Sequence, residues 1–488
     1  MHRLQTAHSF WTQEPPVFPN EYPEFGVHGR GGKLYDWYGI GQPLLMLPAD
    51  MVGTYLQKLP IFANYNGADP TIRNIFVTYS VNIFLNIITA LACFRFLKLL
   101  GFDIKQSTLG VLALLFCTTH LHYTQNMMEN NYIFVLTLVG FTYGYEWVLT
   151  NKGRALAIGA GAFGMNLLTR LTTGLDLMAG TAFLILVLGL QGGRKTEFFQ
   201  RALAYLKTAV PIYLFFIMID RVYQFYRFGT WADTYVHYFT IEHRLQDPNL
   251  PASYPWETPF HIGFLGPLFS PEKSIFLFDP LILLTILLAI VSWHRFTAPV
   301  KAYVLATLGL VLSYISLYAR YTVWSGNFAW GDRYVSTAVE LAALVSVPLL
   351  LKYWRELTNQ LRIVGLSLIS LSLVVQVASL AFWLPLEIYQ ADDFGHPQWI
   401  IWLRFRNIVA FALGKMDTWG LNTDSMGYDQ WDFQHITTWN FLPFVLRRMG
   451  EAPRWAVNFA FLVWELANAL MVISLLRLRT WLRTVQRT

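Results

Sequence analysis

Apolar runs of about twenty residues recur along this chain, and they constrain its fold more than any other feature. A run of that length crosses the hydrocarbon core of a bilayer as one helix. The 488 residues are 55% hydrophobic and only 14% charged, whereas soluble chains carry about a quarter charged residues. The sequence therefore predicts an all-α, polytopic integral membrane protein.

The apolar runs give about eleven spanning segments. The two runs that flank Arg170 could form one broken helix. We predict a first loop with an interfacial helix (1–74), a transmembrane core (75–386), an aromatic-rich loop (387–456), and a last helix with a basic tail (457–488). The segments lie near residues 75–97, 108–120, 131–149, 155–169, 174–190, 207–220, 274–293, 302–319, 334–351, 363–386 and 457–478.

Lys and Arg residues concentrate in short loops on one face and in the C-terminal tail, which predicts that this face is cytoplasmic. The formal charge of +6 is thus a topology signal, and we expect no nucleic-acid partner. The long loops fall on the extracytoplasmic face of the inner (plasma) membrane, at residues 1–74, 120–130, 221–273, 320–333 and 387–456. Because no apolar stretch precedes the first of these loops, we expect a helix upstream of Met1.

Cysteine and histidine residues give no metal signature. Cys93 and Cys117 lie inside apolar segments, which argues against a disulfide or a cysteine-based metal site. His120 and His122 lack a third ligand nearby in the sequence, and such a pair is more often structural. No metal site is predicted.

Two charged residues of the external loops suggest chemistry. Glu129 lies in a loop without Lys or Arg, so desolvation should raise its pKa and make it a base; the alternative is a charge that favours the start of a helix. Arg170 lies between two apolar runs, where it would face a polar cavity or an anion, or else reach the membrane interface.

Two further segments could hold a phosphate. Lys33 follows a glycine-rich stretch and could meet a phosphate as a point charge, although the stretch could simply lead into an interfacial helix. Arg333 could grip a phosphate with two parallel hydrogen bonds beside the Trp330 ring. A purely structural Asp332–Arg333 pair is the alternative.

Three stretches in series, over roughly residues 3–350, carry a resemblance to a known superfamily. They are the glycine-rich stretch that ends in Tyr-Gly-Ile-Gly-Gln (31–42), the Leu-Phe-Ser-Pro stretch (268–280), and Gly-Asp-Arg-Tyr (331–334). Together they resemble the GT-C glycosyltransferases that use polyprenyl-phosphate sugars. The relatives in question are similar to protein O-mannosyltransferases and to the lipid A aminoarabinose transferase.

The resemblance implies an inverting transferase that acts on a lipid-linked sugar in the outer leaflet. Basic residues would hold the donor phosphate, and an acid would deprotonate an acceptor hydroxyl of a lipid, glycan or protein. The family's catalytic acid follows its first helix and would lie upstream of Met1. The resemblance leaves open whether a divalent cation takes part. The residues implied are Glu129, Asp36 and Glu14 for catalysis, Arg333, Lys33 and Arg170 for phosphate, and Trp330, Tyr334, Tyr38 and Gln42 for substrate.

Two other functions stay open at this point. A transporter or flippase could use Arg170 along its pathway, but transporters need no large loops on one side. A catalytically inactive scaffold subunit is the second alternative. The tryptophans of the 387–456 loop could bind an acceptor sugar: Trp399, Trp402, Trp419, Trp431 and Trp439.

Overall fold

The computed structural model describes residues 2–18, 26–65, 70–191, 195–383, 385–392, 395–416 and 438–485. Its strands, β1 (Val27–His28) and β2 (Leu34–Tyr35), pair in antiparallel fashion. The helices are α1 His2–Ser9, α2 Gly41–Gln57, α3 Ile72–Leu99, α4 Ile104–Cys117, α5 His120–Tyr123, α6 Asn130–Thr150, α7 Gly153–Thr169, α8 Gly174–Leu190, α9 Lys195–Phe228, α10 Tyr235–Gln246, α11 Phe260–Phe269, α12 Ile275–Phe278, α13 Leu281–Ser292, α14 Ala298–Tyr318, α15 Ser336–Ala343, α16 Ser346–Lys352, α17 Asn359–Ser379, α18 Pro385–Asp392, α19 Ile400–Ala412, α20 Leu442–Met449 and α21 Arg454–Val485.

Within the described part of the chain, seven helical segments are long and apolar enough to cross a membrane. Three shorter apolar helices accompany them, and every apolar run read from the sequence overlaps a helix. The prediction of a multi-pass, all-α membrane protein is confirmed. The seven are Ile72–Leu99, Asn130–Thr150, Leu171–Leu190, Lys195–Phe228, Ala298–Tyr318, Asn359–Ser379 and Arg454–Thr484.

Several of the predicted apolar runs are interrupted, and the segment near 274–293 divides into α12 and α13. Around Arg170, α7 ends at Thr169, the backbone of Arg170 is extended, and a single 3-10 turn (Leu171–Thr173) leads into α8. The segment predicted near 334–351 divides into α15 and α16. The break at Arg170 frees its side chain from a helical surface.

Aromatic rings fill the centre of the helix bundle. Phe96 of α3 packs against Phe141, Phe183 and Tyr303, with ring centroids 6.4, 6.0 and 5.0 Å away. The Tyr303 hydroxyl donates a hydrogen bond to the carbonyl oxygen of Leu341 at 2.7 Å, so its one polar atom is satisfied in the core. Since aromatic side chains bury large areas in fixed orientations, this cluster makes the bundle a firm support for its loops.

The first loop is held to the bundle by a buried carboxylate on α2. Asp50 accepts hydrogen bonds from His8 Nδ1 at 2.9 Å, Trp11 Nε1 at 2.8 Å and Arg73 Nε at 2.5 Å. These donors come from α1, the turn after it, and α3. A carboxylate with three donors is well compensated for burial, and it fixes α1 against the bundle with Arg3 pointing inward.

A second polar link joins the start of α6 to the turn before α15. Asn130 Nδ2 donates to the carbonyl oxygen of Arg333 at 2.8 Å and to Ser336 Oγ at 2.9 Å. Because Glu129 directly precedes Asn130, this link sets the distance between Glu129 and Arg333.

Candidate active site

A cavity of about 590 Å³ lies where the loops meet the ends of several membrane-spanning helices. Its walls come from α1, the loop after β2, the starts of α6 and α10, the ends of α7, α9 and α14, and the turn before α15. The elements that line the cavity are far apart in sequence. Five residues predicted from sequence line it together: Tyr38, Glu129, Arg170, Arg333 and Tyr334.

Glu129 is clamped by two arginines in this cavity. Its Oε2 accepts a hydrogen bond from Arg3 Nη2 at 2.5 Å, and its Oε1 accepts one from Arg170 Nη1 at 3.1 Å. Burial alone would raise the pKa of Glu129, but the positive charges of Arg3, Arg170 and Arg333 outweigh burial and lower that pKa. The prediction of a raised pKa for Glu129 is therefore wrong, because the arginines that lower it come from other parts of the chain.

The arginines retain hydrogen-bonding capacity after these contacts. Arg170 Nε and Nη2, Arg333 Nε and Arg3 Nε are buried and have no hydrogen-bond partner among the described residues. Arg333 donates from Nη2 to the hydroxyl of Tyr334 at 3.1 Å. A buried N–H without a partner costs about 1–3 kcal/mol, so these groups are poised for an acceptor that enters the cavity.

Aromatic rings form the rest of the cavity wall. Tyr334 stacks on Tyr318 with ring centroids 4.2 Å apart, and the guanidinium of Arg3 lies 3.5 Å from the centre of the Tyr38 ring. Flat aromatic faces next to cations suit a ligand with both a ring and a negative charge. Further rings of the wall belong to Trp37, Tyr235, Phe239, Tyr254, Trp256 and Tyr321.

Asp36 has a buried position outside the cavity lining. Its Oδ2 accepts a hydrogen bond from Thr6 Oγ1 at 2.5 Å, and Arg227 Nη1 lies 3.4 Å from its Oδ1. The same Arg227 nitrogen donates to the carbonyl oxygen of Tyr38 at 3.1 Å. Burial raises the pKa of Asp36, although Arg227 opposes that rise. These contacts hold the Tyr38 loop in place.

Four other residues predicted from sequence also lie away from the cavity. Glu14 and Lys33 line a separate cavity of about 990 Å³, and Gln5 Nε2 donates to Glu14 at 3.0 Å. Gln42 is buried and donates from Nε2 to the carbonyl oxygen of Met127 at 2.6 Å. Trp330 is 0% exposed and stacks on His122 at 5.8 Å.

The loop tryptophans divide between described and undescribed parts of the chain. Trp399 and Trp402 are exposed, whereas Trp439 stacks on Phe382 with ring centroids 5.0 Å apart. Trp419 and Trp431 lie outside the described residues. None of the three described tryptophans lines the cavity.

Sequence reasoning missed three cations that shape the site: Arg3, Arg227 and Lys273. Lys273 is buried and donates from Nζ to the carbonyl oxygens of Asn327 at 2.6 Å and Ala329 at 2.9 Å. Burial lowers the pKa of Lys273 to about 8. Arg227, a lone arginine near the end of an apolar run, carried the one usable signal, since charges at that depth tend to be functional.

The chemistry of the cavity suits an anion and does not suit a metal ion. Four arginines line the cavity with two acidic residues, Glu129 and Asp220, which leaves an excess of positive charge. Among the described residues, no group of three or more His, Cys, Asp or Glu side chains is placed to hold a metal. His120 Nε2 lies 2.8 Å from Asn86 Oδ1. The described residues of the cavity therefore do not fit a divalent cation.

No protein-family model matches the chain, and no curated protein sequence is similar to it. One solved structure that resembles it is the archaeal oligosaccharyltransferase AglB from Archaeoglobus fulgidus, in complex with an inhibitory peptide and a dolichol-phosphate. The match covers 89% of this chain and 58% of that chain, at 11% identity and a TM-score of 0.42. We base no residue role on so distant a likeness.

Proposed function

We propose that this chain transfers a sugar from a polyprenyl-phosphate donor to an acceptor hydroxyl at the extracytoplasmic face of the membrane. The observation that carries the proposal is the cavity itself. It is lined by four arginines (Arg3, Arg170, Arg227 and Arg333) that each have a buried N–H group without a partner among the described residues, and it has an aromatic wall.

The donor phosphate would lie between Arg170 and Arg333. Both side chains present buried N–H groups to the cavity, and guanidinium groups suit phosphate oxygens in charge and in geometry. A phosphate would satisfy donors that otherwise each cost about 1–3 kcal/mol. The sugar ring would lie against the aromatic wall near Tyr318 and Tyr334, and the prenyl chain would leave between the helix ends into the bilayer.

In the transfer step, the oxygen of an acceptor hydroxyl forms a bond to the anomeric carbon as the bond from that carbon to the phosphate oxygen breaks. The electron pair of the broken bond stays on the phosphate. Attack from the face opposite the phosphate inverts the anomeric centre. Arginines already in place stabilise the charge that develops on the leaving group without reorganising.

The hydroxyl proton needs an acceptor, and the pKa of Glu129 bears on the choice. Arg3, Arg170 and Arg333 lower that pKa below its ordinary value of 4.5, so Glu129 is a weak base. The prenyl phosphate gains a negative charge as the bond to the anomeric carbon breaks, and the proton would end there. Glu129 would instead hold the side chains of Arg3 and Arg170 in position to bind the phosphate.

Binding of sugar-free polyprenyl phosphate to the purified protein in nanodiscs tests the donor site. Arg333→Lys keeps the charge but loses the planar fork, so we expect binding to weaken about tenfold. Arg355→Lys is the matched control, because Arg355 is exposed in a turn remote in sequence from the cavity. Equal affinity in the wild type and the Arg333→Lys variant would remove Arg333 from the donor site. A wild type that binds no polyprenyl phosphate would favour a scaffold or a transporter of another solute.

A further inference from the structure

A second cavity of about 830 Å³, here called the lateral groove, lies beside the proposed active cavity. One wall comes from the start of α3, with Asn74, Ile75, Thr78 and Tyr79. The opposite wall comes from α20 and from Trp464 of α21. Since α3 and α21 are both long apolar helices of membrane-spanning length, the gap between them faces the bilayer.

The lateral groove and the active cavity share a partition. Phe328 lines both spaces. Met127 and Met128 line the groove, and the next residue, Glu129, lines the cavity. A molecule held in the groove would therefore have one end beside the partition that separates the groove from the proposed donor phosphate site.

The lining of the groove differs in charge from that of the cavity. Its described lining residues include no Asp, Glu, Lys or Arg. His122 lines the groove, and burial lowers its pKa to about 3, so the ring is neutral at physiological pH. The groove thus selects against a charged occupant, since a charge there would be desolvated without a counter-ion.

Two buried polar atoms in the lining of the groove have no hydrogen-bond partner among the described residues. Asn440 Nδ2 donates to Gln125 Oε1 at 3.0 Å, but Gln125 Nε2 has no hydrogen-bond partner among the described residues. The same holds for Nδ1 of His122, a side chain that is 6% exposed. An amide donor and a ring nitrogen in one lining suit hydroxyl groups, which both donate and accept.

We propose that the lateral groove binds the acceptor, and that this acceptor is a lipid with an uncharged, hydroxyl-bearing head. Its chain lies between α3 and α21, and its head reaches His122, Gln125 and Asn440. This inference rests on the proposed function, because it assigns the acceptor class for the same transfer. It selects a lipid from the three acceptor classes that the sequence left open.

Photo-crosslinking in nanodiscs tests this assignment with a monoglycosyl diacylglycerol that carries a diazirine in its acyl chain. We expect labelling of α3 and α21 in the wild type. Thr78→Trp should fill the groove and reduce labelling about tenfold. Ile83→Trp is the matched control on the same helix, because Ile83 is 57% exposed outside the groove, and it should leave labelling unchanged.

Four results would overturn the inference. Equal labelling of the Thr78→Trp variant would mean that the probe lies elsewhere. Equal labelling by a phosphatidylglycerol probe with the same acyl chains would mark an unselective lipid contact. Loss of polyprenyl-phosphate binding in the wild type would overturn the proposed function and this inference with it, whereas failed glycolipid labelling with donor binding intact overturns the acceptor assignment alone.

Discussion

Two buried arginine–carboxylate clusters of this protein differ in how fully their hydrogen bonds are used. Arg404 of α19 donates to Glu387 of α18 from Nε at 2.6 Å and from Nη2 at 2.7 Å. Its Nη1 donates to the carbonyl oxygens of Ala378 at 3.2 Å and Ser379 at 2.8 Å. Every nitrogen of this guanidinium has a partner.

The Glu129 cluster has the same chemical groups and a different balance. Arg170 makes one bond to Glu129, while its Nε and Nη2 lack partners among the described residues. In the Arg404 cluster one carboxylate pairs with one guanidinium group. In the Glu129 cluster one carboxylate lies near three guanidinium groups. The comparison teaches that an arginine–carboxylate pair with all its hydrogen bonds made joins helices, whereas a cluster with more arginines than carboxylates is suited to bind an added anion.

The largest effect should come from breaking the closed pair. Arg404→Leu leaves Glu387 buried without a counter-ion, with only the hydrogen bond from Asn407 Nδ2 at 3.1 Å, which should cost about 3–5 kcal/mol of unfolding free energy. Replacing both residues with Leu should recover most of that loss, because a well-packed apolar pair often matches a buried ion pair. Thermal unfolding of the purified variants measures both effects. A stable Arg404→Leu single variant would contradict the structural role of this pair.

Removing Arg170 should lower transfer activity and leave stability nearly unchanged, which is the opposite of the effect expected on removing Arg404. Arg170→Gln should reduce transfer about a hundredfold, or about 2.7 kcal/mol of transition-state stabilisation, because one contact to the leaving phosphate is lost. Stability should change little, since Arg3 still pairs with Glu129. Transfer to the native acceptor in membranes, together with the melting temperature, tests this expectation. A large fall in melting temperature would place Arg170 with Arg404 as a structural arginine.

Glu129→Gln separates a base from a positioning residue. We expect the maximal transfer rate to fall about tenfold, because Arg3 and Arg170 lose the group that orients them. Binding of polyprenyl phosphate should not weaken, since the substitution also removes a negative charge beside the phosphate site. Rates at saturating donor and binding affinities measured side by side give the answer. Weaker donor binding with an unchanged maximal rate would contradict the positioning role.

The smallest effect concerns pH. The pKa of Glu129 is lowered below 4.5, so the carboxylate stays ionised above that pH and its contribution is lost only as pH falls through the lowered pKa. The rate ratio of wild type to the Glu129→Gln variant should therefore stay constant between about pH 5 and pH 8. A ratio that declines toward 1 as pH falls from about 7 to 5 would show a raised pKa and restore Glu129 as the base.

The sequence predicted the membrane fold well because apolar runs of spanning length leave few alternatives. For Arg170 it left a polar cavity, an anion and the membrane interface open, since a charge beside an apolar run needs a polar destination, and the structure brings Arg170 into the same cavity as Arg333. The sequence failed on the partners of Glu129. Arg3 lies 126 residues away in sequence, and no local pattern reports a contact at that separation. The buried position of Trp330 was missed for the same reason, because its neighbours come from distant helices.

The link from Asn130 to Arg333 and Ser336 also bears on the rate of ligand exchange. It joins the Glu129 wall of the cavity to the Arg333 wall through two hydrogen bonds. The two walls therefore cannot move apart without leaving buried groups unpaired. Under the proposed function, a lipid-linked donor would therefore enter sideways from the bilayer, between helix ends. Its rate of arrival would be set by lateral diffusion in the membrane and by the abundance of the lipid there, with no contribution from a gating motion of these two walls.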